Sequence, residues 1–220
     1  MQVSDLENLI DPVVELSHRA GDAILDVYET EFDVEHKDDE SPLTRADMAS
    51  HREIVAGLRQ LTPERPVLSE ESGQIPYEER CRWQEYWLVD PLDGTNNFAV
   101  GIPFYCVSVA LLDGEGPLLG CVHDPVRGET FTAMRGAGAW LNDRRINVSS
   151  AESISDVILA TGFPYSRTED DLTFDLEVLR RFLGKARGIR RCGSAALDLA
   201  YTAAGRLGGF WEERLNPWDM

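Results

Sequence analysis

The segment from Phe104 to Val148 limits the possible folds of this 220-residue chain more than any other segment. It contains several short apolar runs of strand length, separated by turn signals such as Asp113-Gly114-Glu115-Gly116 and Asp124-Pro125. Consecutive short strands with such tight connections pair as an antiparallel meander. Because helical patterns occur before and after the meander, the sequence predicts an α+β fold.

Two amphipathic patterns precede the meander. Apolar residues at helical spacing predict a helix over residues 5–29, in which Asp11-Pro12 can mark a second helix start. The same spacing predicts another helix over residues 44–61. Short apolar runs at 66–69 and 86–89 predict strands that deliver acidic residues at their C-terminal ends.

After residue 150 strands and helices alternate, which predicts a second subdomain of α/β type. We therefore divide the chain into an N-terminal α+β subdomain (1–150), which carries most of the candidate metal ligands, and a C-terminal α/β subdomain (151–220). Residues 216–220 resemble the start of a helix that stops after one turn, so we expect the natural protein to continue beyond them. The elements predicted in the second subdomain are strands at 157–160, near 189 and at 209–211, and helices at 170–183 and 194–206.

Composition and charge exclude several classes of function. Asp and Glu total 39 against 21 Lys and Arg, and the formal net charge of −18 repels nucleic acid and anionic membrane surfaces. No apolar run approaches the ~20 residues of a membrane span, and the N-terminus lacks the pattern of a signal peptide. The cysteines form no C-x-x-C pair, and the histidines are too scattered for a zinc site. We therefore expect a cytoplasmic protein in which carboxylates hold any bound metal.

The densest chemical signal lies between Trp87 and Thr95. Here an apolar strand ends in two carboxylates, Asp90 and Asp93, which are followed by a Gly-Thr turn. Carboxylates this close repel each other unless a proton or a cation separates them. Together with Glu70 and Glu71, which end the preceding strand, they form an oxygen ligand set that suits Mg²⁺. The simpler alternative is a solvated Asp-Gly turn.

The sequence Asp90-Pro-Leu-Asp-Gly-Thr95, with Glu70-Glu71 upstream and Trp218-Asp219 downstream, resembles the inositol monophosphatase superfamily. These are Mg²⁺-dependent, lithium-sensitive phosphomonoesterases, and the resemblance covers nearly the whole chain in the same order. It implies an α+β fold of the sugar-phosphatase type, a layered αβαβα sandwich. It also implies a cytoplasmic location, a small phosphorylated metabolite as substrate and, commonly, a homodimer.

The resemblance assigns a metal ligand set and a cofactor of two or three Mg²⁺ ions. Glu70 and Asp90, with the carbonyl group of Leu92, would hold the activating ion. Asp90 would bridge to a second ion, which Asp93 and Asp219 complete. Cations arranged in this way neutralise charge on the attacking and leaving oxygens, so no covalent intermediate with the enzyme is needed.

Three residues are implied in catalysis by the same resemblance: Thr95, Asp47 and Glu70. Thr95 corresponds to a hydroxyl group that orients the attacking water, and Asp47 to the acid that polarises it. Asp47 also has a purely structural interpretation, because Thr44 as N-cap and Asp47 three residues later form a capping box.

Substrate contacts are implied at the turn after Asp93 and in two later segments. The residues concerned are Gly94, Thr95, Gly193, Ser194, Ala195 and Glu212. Gly193-Ser194 can equally be a plain helix N-cap, and Glu212 and Glu213 are separated by a single step of register.

The branch of the superfamily is marked by conflicting features. Leu61-Thr62-Pro63 and Trp83-Gln84 resemble the adenosine bisphosphate nucleotidase branch, whereas Asn96-Asn97 resembles the inositol monophosphatases. A substrate with two phosphates needs an extra cation near the site, and Asn96 replaces the lysine of the nucleotidase branch. We therefore favour inositol monophosphate as substrate over adenosine bisphosphate and histidinol phosphate. A non-catalytic, metal-binding regulatory relative and an acidic cation-buffering domain are the alternatives of another class.

Overall fold

The computed structural model describes residues 3–31, 42–73, 75–163 and 169–220. Its elements form a seven-stranded sheet, a three-stranded sheet and the helices that cover them. The elements before residue 150 are α1 (Val3–Glu31), α2 (Pro42–Leu61), β1 (Val67–Ser69), α3 (Tyr77–Arg80), β2 (Glu85–Asp93), α4 (Thr95–Ala99), β3 (Cys106–Asp113), β4 (Gly116–Asp124), β5 (Glu129–Met134), β6 (Gly138–Leu141) and β7 (Arg144–Arg145). The later elements are β8 (Ile158–Thr161), α5 (Glu169–Leu183), β9 (Gly188–Arg190), α6 (Ala195–Ala203) and β10 (Gly209–Trp211), with short 3-10 helices at Ile154–Asp156 and Pro217–Asp219.

The antiparallel meander predicted between Phe104 and Val148 is confirmed. Strands β3 to β7 pair antiparallel in sequence order, and β2 joins them antiparallel to β3. Strand β1 completes the edge by pairing parallel to β2. This parallel pair brings the C-terminal ends of β1 and β2, and the acidic residues that follow each strand, to the same edge of the sheet.

Helix α1 differs from the prediction at Asp11-Pro12, where a second helix start is wrong. The helix continues through Pro12, although proline removes one N–H donor from the helical ladder. Its buried apolar stripe runs on both sides of the proline, with Leu6 before it and Val13 and Leu16 after it. Burial of this stripe stabilises the continuous helix by more than the lost hydrogen bond destabilises it. Among the described residues, no helix is both long and apolar enough to cross a membrane.

The elements stack as helices, sheet, helix, sheet, helix, so the predicted α+β sandwich is confirmed. Helices α1 and α2 pack together on one face of the seven-stranded sheet, and α6 packs on strands β3 and β4. The three-stranded sheet is parallel in the order β10-β8-β9, and α6 also contacts β10. The chain runs from β8 through α5 to β9, and then back past β8 through α6 to β10. Right-handed crossovers that run in these opposite directions place α5 and α6 on opposite faces of the sheet. Phe182 of α5 accordingly contacts Trp211 of β10, with ring centroids 4.9 Å apart.

Candidate active site

A bulge at the end of β2 brings Asp90 and Asp93 together. Asp90 pairs with Ser108 on β3, and Asp93 pairs with Cys106. Between these two pairs β2 therefore contains one more residue than β3. In a regular strand, residues three apart point to opposite faces, and one extra residue turns the second to the face of the first. The spacing of the two carboxylates is therefore a consequence of the bulge.

Contacts from α2, within the segment itself and from the loop before β3 fix the bulged segment. The hydroxyl group of Ser50, a fully buried residue of α2, donates a hydrogen bond of 2.7 Å to the carbonyl oxygen of Pro91. The backbone N–H of Leu92 donates to Oδ1 of Asp90 at 3.0 Å. Gly94 then turns the chain with a φ of +97°, and a Cβ atom there would lie 2.9 Å from the Phe104 carbonyl oxygen. Glycine is the residue that fits both this dihedral angle and this space.

Three of the predicted metal ligands form a cluster. Asp90, Asp93 and Asp219 each offer a carboxylate oxygen, and the three oxygens lie within 4.8 Å of one another. Asp219 comes from the 3-10 helix at Pro217–Asp219, where the Asn216 N–H donates to its Oδ2 at 2.8 Å. These carboxylates border a cavity of about 190 Å³. The other residues around it are Glu70, Leu92, Gly94, Thr95, Gly162, Arg191, Gly193, Ala195, Glu212, Leu215 and Asn216.

Burial raises the pKa of every acid in this cluster, and repulsion between carboxylates adds to the shift of Asp90, Asp93 and Glu70. The pKa of Asp90 lies well above its usual range because the residue is buried and because Asp93, Glu70 and Asp219 are close. Burial raises the pKa of Asp93 to about 6 against the hydrogen bonds that lower it. The pKa values of Glu70 and Asp219 are raised as well, first by burial. Negative charge on these oxygens is therefore energetically unfavourable, and a bound cation would offset that cost.

The donor chemistry fits a hard divalent cation. The candidate ligands are carboxylate oxygens and one backbone carbonyl group, which are the ligands of Mg²⁺, Ca²⁺ and Mn²⁺ rather than of softer metals. A cation shared among Asp90, Asp93 and Asp219 would replace their repulsion by attraction. Glu70 would lie beside it, because Glu70 borders the same cavity and its charge raises the pKa of Asp90. The residues present therefore fit the metal that the family implies.

Cavity size alone does not identify this site. A larger cavity of about 740 Å³ lies between α1 and strands β4 to β6. Its polar residues include His18 and His123, both hydrogen-bonded to the Thr130 hydroxyl group at 2.9 and 3.0 Å. Within the described ranges, the Asp90–Asp93–Asp219 group is the one cluster of three acidic, histidine or cysteine ligands found, and it borders the smaller cavity.

Asp47 lies close to the acidic end of this cavity. Residue 47 is buried, and burial, followed by the charges of Glu71 and Glu70, raises its pKa to about 7. No hydrogen bond between its carboxylate and the Thr95 hydroxyl group is formed in the described structure. Helix α2 begins at Pro42 instead of the predicted residue 44, so Thr44 lies inside it, and the side chain of Thr44 is outside the described residues.

The residues predicted to contact substrate divide into two groups. Gly94, Thr95, Gly193, Ala195 and Glu212 border the cavity. Ser194 does not, because it is 1% exposed and caps α6 by accepting the Leu197 N–H. The structural alternative for Ser194, a helix N-cap, is therefore confirmed.

Of the two candidate acids after the last strand, Glu212 and not Glu213 is placed to contact a substrate. Glu212 borders the cavity, and its carboxylate lies against Gly162 where any side chain would collide with it. Glu213 is exposed. The two residues diverge because neighbouring residues of an extended chain point to opposite sides.

Two functional candidates were missed by the sequence reasoning. Arg191 borders the cavity, and Asn97 donates to the carbonyl oxygens of Phe104 at 2.7 Å and Cys192 at 2.8 Å. Asn97 thereby ties the turn after Asp93 to the loop before α6. The roles of Arg191 and Asn97 both depend on a contact between segments about 95 residues apart, and no local sequence pattern predicts such a contact.

Known proteins share this fold. A model of the Inositol monophosphatase family matches residues 5–220. The structure of inositol monophosphatase from Anabaena (Nostoc) sp. PCC 7120 matches with a TM-score of 0.84 and 34% identity, over 98% of this chain and 78% of that chain. The combination of this sandwich with a carboxylate-lined cavity defines a phosphomonoesterase. More narrowly, the chain belongs to the inositol monophosphatase family.

Two curated relatives are similar to this chain in sequence over most of its length. Nus factor SuhB of Pseudomonas aeruginosa is 44% identical over 189 residues, which cover 85% of this chain and 69% of that protein. Inositol-1-monophosphatase of Rhizobium meliloti is 43% identical over 179 residues, covering 81% of this chain and 65% of that protein.

Proposed function

We propose that the protein hydrolyses inositol monophosphate with Mg²⁺ as cofactor. The observation that carries the proposal is the cluster of Asp90, Asp93 and Asp219, whose oxygens lie within 4.8 Å of one another at the edge of a cavity. Glu212, on another side of that cavity, offers a hydrogen-bond acceptor to the hydroxyl groups of a polyol. The 43% identity to a relative named inositol-1-monophosphatase supports the choice of substrate.

Bound Mg²⁺ ions would supply the Lewis acidity that activates water and neutralises the phosphate oxygens. Glu70, Asp90, the Leu92 carbonyl group, Asp93 and Asp219 would hold these ions. These residues border the same cavity as the turn after Asp93, so they would hold a phosphate ester against that turn in a reactive position.

The remaining steps are assigned to side chains near the turn. The Thr95 hydroxyl group would orient the attacking water, and Asp47 would accept the hydrogen bond of that hydroxyl group once substrate is bound. Hydrogen bonds of this kind often form only in the substrate complex. Glu70, whose pKa is raised by burial, is our candidate for accepting the proton that the water loses. From the family resemblance we also propose a cytoplasmic homodimer that lithium inhibits.

Phosphate release from a small substrate panel tests the proposed function. We expect the highest kcat/KM for inositol monophosphate, compared with adenosine bisphosphate and histidinol phosphate, and loss of activity on chelation that added Mg²⁺ restores. Faster turnover of adenosine bisphosphate would reassign the substrate while leaving the enzyme class intact. The absence of turnover on every substrate would instead favour the non-catalytic, metal-binding alternative.

Arg191 favours adenosine bisphosphate nucleotidase activity as the second candidate function. Among the described residues around the cavity it is the single lysine or arginine, whereas Asn96 is exposed and lies outside the cavity lining. An arginine there can pair with a second phosphate, which weakens the argument drawn from Asn96.

Arg191→Gln separates the two candidate substrates. It should lower kcat/KM for the bisphosphate about tenfold and leave kcat/KM for inositol monophosphate within about threefold. Arg190→Gln, which changes a neighbouring exposed arginine, is the matched control.

Gly162→Ala should raise KM for inositol monophosphate about tenfold, with a smaller effect on kcat. A methyl group at this position occupies the space of the Glu212 carboxylate and forces it away from the cavity. Steady-state kinetics alongside Glu212→Gln measures the effect, because the two changes should not add if they remove the same contact. Additive effects would show that Gly162 acts independently of Glu212.

A further inference from the structure

Oδ2 of Asp93 already accepts hydrogen bonds from the start of α6. The Ser194 hydroxyl group donates to it at 2.6 Å, and the backbone N–H of Ala196 donates at 2.7 Å. Two short donors fill the two lone-pair directions of one carboxylate oxygen. Oδ1 is therefore the oxygen that Asp93 retains for a cation.

The environment of Ser194 fixes the direction of its hydroxyl group. Ser194 is 1% exposed, and its Oγ lies 3.6 Å from the buried thiol of Cys106 and 3.4 Å from the N–H of Leu197. A hydroxyl group has one hydrogen to donate, and the 2.6 Å contact commits it to Asp93. Oγ is then an acceptor for the Leu197 N–H, and the Cys106 thiol lies 4.0 Å from the same Oδ2 of Asp93. Because Ser194 is buried, the donor at this position comes from the protein and not from solvent.

We propose that Ser194 is a positioning residue for the metal ligand Asp93. Its hydroxyl group holds Oδ2 in place and thereby turns Oδ1 toward Asp90 and Asp219. Through this bond, the N-terminal end of α6 sets the affinity of the metal site, although Ser194 touches neither the cation nor the substrate. The inference rests on the proposed metal-dependent function, and it assigns to Ser194 a role different from the predicted contact with substrate.

Ser194→Gly is the variant that isolates this role. Glycine retains most of the capping preference of serine, within a few tenths of a kcal/mol, but it offers Asp93 no donor. Outer hydrogen-bond partners of metal ligands typically contribute about 10- to 100-fold in metal affinity. We therefore expect Ser194→Gly to weaken Mn²⁺ binding by at least about tenfold, and Ser194→Thr, which keeps the hydroxyl group, to stay within about threefold of the unchanged protein.

The experiment measures Mn²⁺ binding to the full chain by the electron paramagnetic resonance signal of the free ion, in the absence of substrate. Ser153→Gly is the matched control, because Ser153 caps the 3-10 helix at Ile154–Asp156 and bonds Ser155 rather than an active-site acid. Activity supplies a second readout. The Mg²⁺ concentration for half-maximal activity should rise in Ser194→Gly, while kcat at saturating Mg²⁺ falls much less.

Each outcome decides between this role and a purely structural one. Ser194→Ala lacks both the donor and the cap, and alanine is a poorer cap than glycine by about 1 kcal/mol. If Ser194→Ala and Ser194→Gly bind Mn²⁺ equally weakly, the lost hydroxyl donor lowers the metal affinity. If only the alanine variant is impaired, the lost helix cap lowers it and the proposal is wrong.

Should Ser194→Gly fail to fold, the near-isosteric Ser194→Cys replaces it, and unchanged Mn²⁺ affinity of that variant overturns the proposal. Failure of the unchanged protein to bind Mn²⁺ would contradict the proposed function itself.

Discussion

Replacing Asp93 by asparagine should lower kcat/KM for inositol monophosphate about a thousandfold. The loss corresponds to about 4 kcal/mol of transition-state stabilisation, a reasonable share of what a bound cation contributes. The side-chain amide of asparagine cannot replace both carboxylate oxygens of Asp93, whichever way it is turned. Its nitrogen would face either the two donors, Ser194 and the Ala196 N–H, or the cation that Oδ1 is proposed to hold.

Phosphate release under saturating Mg²⁺ measures this effect, and thermal unfolding verifies that the variant remains folded. Glu213→Gln is the control, because it removes one charge from an exposed residue near the site and should leave kcat/KM within about twofold. If Asp93→Asn retains activity within tenfold of the unchanged protein, the cluster of Asp90, Asp93 and Asp219 is not the centre of the reaction.

The meander and the helices were predictable because their signals are local. Turn residues separate the strands β3 to β7, and a continuous apolar stripe marks α1. The same local reasoning was wrong at Pro12, where the preference of proline for a helix start yielded to burial of the residues around it. Tertiary packing is a sum over distant contacts, which no short window of sequence contains.

The candidate ligands were predictable as residues, but their arrangement was not. Asp90 and Asp93 are recognisable from their spacing, whereas the bulge that turns them together depends on the register of β2 against β3. Ser194 is recognisable as an N-cap, whereas its bond to Asp93 joins residues 101 positions apart. In both cases the decisive partner lies on another element, so the geometry appears only after the chain has folded.

Without metal, Asp47 and the acids of the cluster should make the protein less stable as pH rises from about 4 to about 7. The pKa of Asp47 in the folded protein is about 7, and that of Asp93 about 6, both above the value of 3.8 expected in an unfolded chain. Between these limits the folded state binds more protons, so raising the pH removes stability. For Asp47 alone the shift corresponds to an upper limit on the order of 4 kcal/mol. The raised pKa values of Glu70, Asp90 and Asp219 act in the same direction.

Mg²⁺ should counteract this pH dependence, because protons and cations compete for the same oxygens. We expect the increase in melting temperature caused by Mg²⁺ to be larger at about pH 8 than at about pH 5.5. The experiment compares chelated and Mg²⁺-saturated protein at both pH values. Equal stabilisation at both, or greater stabilisation at the lower pH, would contradict the placement of the cation among these acids.

His123 has a pH dependence opposite to that of the acid cluster, and this contrast tests where Mg²⁺ binds. Burial, followed by the charge of His18, lowers the pKa of His123 to about 4, so this residue removes stability as pH falls from about 6.5 toward 4. Its cavity is separate from the acidic cluster, so its contribution is the same with and without Mg²⁺ and cancels in the difference. In Asp93→Asn the pH dependence of the Mg²⁺ effect should shrink, whereas the loss of stability that His123 causes at low pH should persist. The two behaviours together separate metal binding at the acid cluster from a general effect of ionic strength on a chain of net charge −18.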